Sequence, residues 1–394
     1  MIYLDSNATS QLHPEVMEAM LPFLTEQWFN PSSGYRAARE VRQAIAAARE
    51  QVAALINAHP DEIVFTGCGT ESNNMALKWL ARWVGRKESK VVTSTVEHSA
   101  VLRPCEAMAE VGYKVDRCGV DGEGRLRTDE FSELVDDSRP GFASVMWSNN
   151  ETGVNHPVAE VCAITKAAGW AFHTDAIQAV GKMPVDVREV PVDFLSLSGH
   201  KFHAPKGVGA LYIRDGVRFE PMIRGGGQED GRRSGTENVA FIIGLGKAAE
   251  LMKGELERGG HADIKRRRDR LEKRITSEIE GVIVNGSREH RAPNIMHASF
   301  ENCEAAGLLI LLDEAGVQCS AGSACMTGKQ QPSHVQVAMG ISPEQARSSL
   351  RISLSIFTTD EEVEEAATAI GKAVDKLRSV QGPPGVGPVV VYGG

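Results

Sequence analysis

The chain is first narrowed by what it lacks. No apolar run approaches the roughly 18–20 residues that a membrane-crossing helix needs; the stretch Leu308 to Leu312 stops at Asp313. There is no excess of positive charge. The 43 Lys and Arg face 52 Asp and Glu, for a net charge of −9, which disfavours a nonspecific nucleic-acid or acidic-membrane binder. The seven cysteines include no Cys-x-x-Cys pair, so neither a zinc ribbon nor a thioredoxin-type motif is offered, and no metal site is expected. Met1-Ile2-Tyr3-Leu4-Asp5 shows no charged segment followed by an apolar one, and no Arg-rich transit pattern. These absences predict a cytoplasmic protein with reduced thiols. Internal repeats are also missing.

What is present is glycine, 39 residues in 394, above the average of about 7%, and an alternating pattern. Residues 36–57 read as an amphipathic helix after the turn Asn30-Pro31-Ser32-Ser33-Gly34, with Ser33 as a candidate cap. Strands are expected at Ile63–Phe65, Lys90–Thr95, Ala143–Trp147, Trp170–Thr174, Phe194–Ser198 and Ala210–Arg214. Helices are expected at Glu71–Val84, Ser99–Val111 and Val158–Ala168. Strands separated by helices predict βαβ units and a mostly parallel sheet, an α/β fold. The character changes near 255–260. Glu255 to Ile279 reads as a charged helix, with Lys265-Arg266-Arg267-Arg268 on a solvated face and Leu271, Ile275 and Ile279 on the apolar stripe. Residues 282–380 read as a smaller α+β unit. The expected organisation is a large domain over 15–258, a small domain from 1–14 and 259–380, and a Pro/Gly-rich, disordered tail over 381–394.

In an open α/β sheet, ligands bind beyond the carboxyl ends of the strands. Four strand ends here carry polar groups: Glu97 and His98; Asn149 and Asn150; Asp175 with Gln178; Gly199, His200 and Lys201. The turn Thr66-Gly67-Cys68-Gly69-Thr70 ends a strand and opens a helix, a phosphate site in principle and otherwise an ordinary βα turn. It matches neither the P-loop nor the dinucleotide fingerprint. A lysine at the end of an apolar strand is a candidate Schiff-base former. A carboxylate on a neighbouring strand can hold a pyridinium nitrogen protonated. Lys201, Asp175 and the cradle of Gly69, Thr70, Ser198 and His200 together fit pyridoxal 5'-phosphate. The alternative is a buried Asp175–Lys201 ion pair without a ligand.

Across about residues 2–380 the chain resembles the cysteine desulfurases, NifS/IscS-like members of the class V, fold-type I pyridoxal-phosphate enzymes. The resemblance rests on Tyr3-Leu4-Asp5 with Asn7-Ala8-Thr9, Asn30-Pro31-Ser32-Ser33, Gly69-Thr70-Glu71-Ser72, Glu97-His98 and Asn149-Asn150-Glu151-Thr152-Gly153. It continues through His173-Thr174-Asp175-Ala176, Ser198-Gly199-His200-Lys201, Arg233-Ser234-Gly235-Thr236-Glu237-Asn238, Ser323-Ala324-Cys325 and Leu350-Arg351. Met146-Trp147-Ser148-Asn149-Asn150 and His200-Lys201-Phe202-His203-Ala204-Pro205 are similar in wording to the NifS branch that serves nitrogenase.

The resemblance implies a large sheet domain with a smaller α+β domain, and it implies roles. Lys201 would bind the cofactor covalently. His98 would stack on its ring and assist proton transfer. Asp175 would bind the ring nitrogen, Asn150 and Gln178 the hydroxyl side, and Gly69, Thr70, Ser198 and His200 the phosphate. Thr236 would reach the phosphate of the partner in a homodimer. Arg351, with Asn150 and Asn7 nearby, would bind the substrate carboxylate. Cys325 would be the nucleophile that takes sulfur from L-cysteine as a persulfide, leaving L-alanine, and passes it to a NifU/IscU-like scaffold for iron–sulfur cluster assembly. Selenocysteine lyase and a class V aminotransferase share the fold and stand as alternatives. The chain departs from the family wording at Ser10, Tyr35, Met296-His297 and Met326, none of which removes a catalytic group.

Overall fold

The computed structural model describes residues 1–85, 89–135, 138–321 and 332–381. Cys325 and the tail segment 382–394 lie outside the described residues. A seven-stranded sheet runs in the order Ile63–Thr66, Gly209–Ile213, Phe194–Ser198, Ala171–Asp175, Gly141–Ser144, Lys90–Ser94, Lys114–Cys118. Gly209–Ile213 is antiparallel to both neighbours, and every other pairing is parallel. The strand residues are buried on both faces except in the edge strand Lys114–Cys118, as expected where helices cover a parallel sheet. The strand expected over Ala143–Trp147 ends at Ser144. The backbone beyond it still follows its neighbour, since Val145 and Trp147 N–H donate to His173 and Asp175 carbonyls at 3.2 and 2.9 Å.

The helix Arg36–Leu55 buries Val41, Ile45, Ala48 and Val52 on one stripe. Each buried Val or Ile contributes about 1.5–3 kcal/mol before entropy is counted. Ser33 is not its cap: the residue at that position is Tyr35, whose side chain makes no capping bond. Its main partner is the helix Val239–Glu257. The two approach closely because Gly246 lacks a side chain; a Cβ there would lie 2.5 Å from Ala48 Cα. The charged helix expected over 255–279 is two helices. Val239–Glu257 ends at Arg258, Gly259 takes φ +80°, and Gly260–Glu278 follows. Within it Arg268 is not on the solvated face. It is 1% exposed and donates to Ile295 O at 2.9 Å, Ala292 O at 3.2 Å and Asp269 Oδ1 at 2.7 Å. Its place four residues after Ile264 and three before Leu271 puts it on the apolar stripe.

A second sheet orders Ser320–Ala321, Ser349–Ser353, Ile295–Phe300 and Val282–Val284, all antiparallel. Its core joins the chain's beginning to its later third: Ile2 and Leu4 pack with Leu308, Leu350, Val363 and Ile370. Ile2–Tyr3 pairs in parallel with Val317–Gln318, and Asp5 bridges to Ser353. No described helix is long and apolar enough to cross a membrane.

Candidate active site

The parallel strands all deliver their carboxyl ends to one edge of the large sheet, and the strand Ser349–Ser353 faces that edge from the small one. Between them lies a cavity of about 340 Å³. Asn7, Gly69, Thr70, His98, Asn150, Asp175, Gln178, Ser198, His200, Lys201 and Arg351 all line it. Thr236 does not; it is exposed elsewhere on the surface.

Asp175 closes its strand and is buried, which pushes its carboxyl above the ordinary range. Oδ1 accepts from Ile177 N–H at 3.0 Å and Oδ2 from Asn73 Nδ2 at 2.7 Å. No ion pair reaches it among the described residues. Lys201 instead donates to the backbone carbonyls of Asn7 at 2.7 Å and Ala8 at 2.8 Å, so the ligand-free Asp175–Lys201 ion pair is excluded. Burial, and then the Arg351 charge, lower the Lys201 amine to about 8. An amine in that range is partly unprotonated near neutrality and therefore nucleophilic.

His98 caps the helix Ser99–Glu110, its Nδ1 accepting from Ala100 N–H at 3.1 Å. That bond assigns the proton of the neutral ring to Nε2. Burial lowers its pKa, so the resting ring offers a donor at Nε2. Below it Glu97 is fully buried and accepts at Oε1 from Ser94 Oγ at 2.6 Å and Met146 N–H at 2.9 Å. Desolvation pushes it up to about 8, so it is mostly neutral at pH 7.

The helix Gly69–Val84 points its N-terminus at the cavity, and Cys68 before it supplies no side-chain cap. Its first N–H groups are thereby left for an anion. Gly69 is required there: a Cβ would fall 2.2 Å from Ile177 Cδ1 and 3.2 Å from Ser198 Cβ. His200 Nδ1 lies 3.2 Å from Thr9 Oγ1. Burial, then the Lys201 charge, lower His200 to about 4, leaving a neutral ring. Glu71, in the first turn, is held by Arg233 at 2.8 Å, which ties the loop carrying Thr236 to this helix end.

Across the cavity Arg351 pairs with Asp5 at 2.8 Å and donates to Asn150 O at 3.0 Å. Its Nε has no hydrogen-bond partner among the described residues. Asn7 Nδ2 donates to the same Asn150 carbonyl at 3.2 Å, and Gln178 Nε2 donates to Asn7 O at 3.1 Å. Asn149, beside them, is structural: its Oδ1 accepts from Glu151 N–H at 2.9 Å and Thr152 N–H at 3.0 Å, and so holds the turn.

Sequence reasoning missed four contributors: Asn73, which holds Asp175; Asp5, which holds Arg351; Lys182 beneath Gln178; and Glu97 as a buried neutral acid. Asp5 lies in the quoted Tyr3-Leu4-Asp5 motif and Asn73 directly follows Gly69-Thr70-Glu71-Ser72, which was the available signal. For Lys182 there was none beyond its spacing of four from Gln178.

The residues fit pyridoxal phosphate on the structure's own terms. A buried carboxylate without a cationic partner, an uncapped helix N-terminus whose glycine admits no side chain, and a lysine of lowered basicity face one cavity. A family model described as Aminotransferase class-V matches residues 2–365. The chain is 45% identical over 381 residues to cysteine desulfurase NifS of Azotobacter vinelandii, covering 96% of this chain and 94% of that one. It is 44% identical over 383 residues to cysteine desulfurase IscS of Dictyoglomus turgidum, covering 96% of each. A solved structure titled as a NifS-like protein superimposes with a TM-score of 0.89 at 35% identity, over 95% of this chain and 99% of the other.

Proposed function

The chain belongs to the class-V aminotransferase family and, within it, to the cysteine desulfurases; on that premise we propose that it takes sulfur from L-cysteine in the cavity between its two sheets and leaves L-alanine. The observation that carries this reading is the convergence of Asp175, Lys201 and Arg351 on that one cavity.

When bound there, pyridoxal phosphate supplies an electron sink for charge developing at the substrate's α-carbon. Asp175, held by Asn73 and Ile177 N–H, would face the ring nitrogen. The helix end at Gly69 and Thr70, with Ser198 and His200, would hold the phosphate, and Asn150 and Gln178 the ring's oxygen. Lys201 anchors the group and, as a free amine, takes the α-proton at Nζ. Arg351 binds the substrate carboxylate and so orients the α-carbon toward Lys201. His98 moves a proton at Nε2.

Cys325 is the thiol we assign to the sulfur. Its thiolate attacks the substrate sulfur, an S–S bond forms and the Cβ–S bond breaks. The electron pair of the broken bond remains with the carbon fragment, which is released as alanine once protonated. The support for Cys325 is its setting in Ser323-Ala324-Cys325, between glycines at 322 and 328. The acceptor of its persulfide would be a scaffold for iron–sulfur clusters, with nitrogenase maturation as the specific use. A homodimer belongs to the same reading. Thr236 is exposed away from its own cavity, and Met17, Leu21, Leu24 and Trp28 form an exposed apolar stripe on and after the helix Pro14–Thr25. A cytoplasmic location suits cysteines that are all unpaired among the described residues. Mass spectrometry after L-cysteine treatment tests the assignment. One added sulfur atom on Cys325, absent in Cys325→Ser along with sulfide release, is expected. Unchanged sulfide release by Cys325→Ser would overturn it.

A further inference from the structure

Beneath the cavity lies a lysine that the reaction as described does not use. Lys182 is 8% exposed, and no carboxylate pairs with it among the described residues. The titratable and charged groups that face it are Lys201, Arg351, His200 and His203, all of them bases. An isolated buried ammonium is costly, and burial together with Lys201 and Arg351 drives this amine well below its ordinary range. Two acceptors are in place for its N–H groups. Lys182 Nζ donates to Asn7 Oδ1 at 3.0 Å and to Gln178 Oε1.

Those two contacts decide which way both amides face. Oxygen and nitrogen of an amide are nearly the same size, so only the hydrogen-bond partners choose the orientation. With Oδ1 held by Lys182 and by Asn294 Nδ2 at 3.1 Å, Asn7 turns its Nδ2 to Asn150 O. With Oε1 held by Lys182, Gln178 turns its Nε2 toward Asn7 O. That carbonyl also receives Lys201 Nζ. The backbone on which Lys182 sits is constrained, because Gly181 has φ +76° and a Cβ there would lie 2.6 Å from Phe202 Cβ.

We propose that Lys182 is a positioning residue of the active site, fixing the amides of Asn7 and Gln178 so that their N–H groups, rather than their oxygens, are presented to Asn150, to Lys201's carbonyl partner and to the cofactor's ring oxygen. This rests on the cysteine desulfurase reading. Without Lys182, Gln178 can turn over and set an oxygen against the Asn7 carbonyl and the ring oxygen. Loss of a donor to an anionic oxygen raises that oxygen's proton affinity.

The test uses the cofactor-loaded enzyme and its Lys182→Met and Lys182→Gln variants. The pH midpoint of the cofactor's visible absorbance is read beside kcat/KM for L-cysteine and Tm. Lys182→Met is expected to raise the midpoint by about half a pH unit or more and to lower kcat/KM about tenfold. Lys182→Gln keeps one amide donor and is expected to shift the midpoint less, in the same direction. A merely structural role lowers Tm in both and leaves the midpoint in place, which overturns the proposal. If Lys182→Met does not fold, Lys182→Gln decides alone: a midpoint equal to the parent's overturns the proposal and a raised one upholds it. The parent enzyme's own release of alanine and sulfide reports on the underlying reading, separately from either variant.

Discussion

The two walls of the cavity are built on different principles. On the large-sheet wall, Asp175, Lys201 and His98, with the buried Glu97 preceding His98, follow directly from buried strands and are held by backbone groups and short neighbours. Desolvation is the first cause of every pKa shift there. On the small-sheet wall, Arg351 is held by an ion pair with Asp5, 346 residues away in sequence. One wall tunes acids and bases by burial, while the other holds a guanidinium by pairing it, the cation that the proposed reading assigns to the substrate carboxylate. On the proposed reading the difference separates chemistry from recognition: proton transfer needs groups poised near neutrality, whereas carboxylate binding needs a cation that never loses its proton.

That contrast can be broken by three experiments. Lys201→Ala removes the chemical wall's central group. It should abolish the cofactor's visible absorbance and lower kcat by about 10⁴-fold, as read by alanine release. Arg351→Met removes the recognition wall's charge. It should lower kcat/KM by about 10²–10³-fold, since a half-buried pair is broken and Asp5 loses its ion-pair partner, with most of the loss in KM. A loss confined to kcat would place Arg351 with the chemistry and collapse the distinction.

Glu97→Gln sharpens the comparison with the smallest effect. In the folded protein Glu97 keeps its proton up to about pH 8, whereas the unfolded chain loses it near the ordinary value of 4.5. Between those limits the native state binds the extra proton, so this residue's contribution to stability falls as pH rises. Gln accepts the same bonds from Ser94 and Met146 and does not titrate. The variant's Tm relative to the parent should therefore climb steadily from pH 5 to pH 8, and a pH-independent difference would show that burial does not govern this wall.

The large-sheet wall was legible in the sequence because its signal is local: an apolar strand followed within a few residues by a polar group. Asp175, Lys201 and His98 all carry it. Arg351 has no such signal, since it sits in an antiparallel strand among Leu350 and Ile352. It was reached only through resemblance. Arg268 was misplaced because charge outweighed its position on the helix stripe. The helix Val239–Glu257, with Gly244 and Gly246 inside it, was not among the expected elements. In the fold these two glycines are what admits Met20 and Ala48.

The amino-acid order by itself determined the parallel α/β core, the strand-end residues and the glycine-opened helix, because periodicity and turn chemistry act over a few residues. Only the tertiary structure decided that burial lowers the Lys182 amine, that Lys201 answers to backbone carbonyls rather than to Asp175, and that Asp5 reaches Arg351. Desolvation and ion pairing depend on what surrounds a group in space, and those surroundings come from segments hundreds of residues apart.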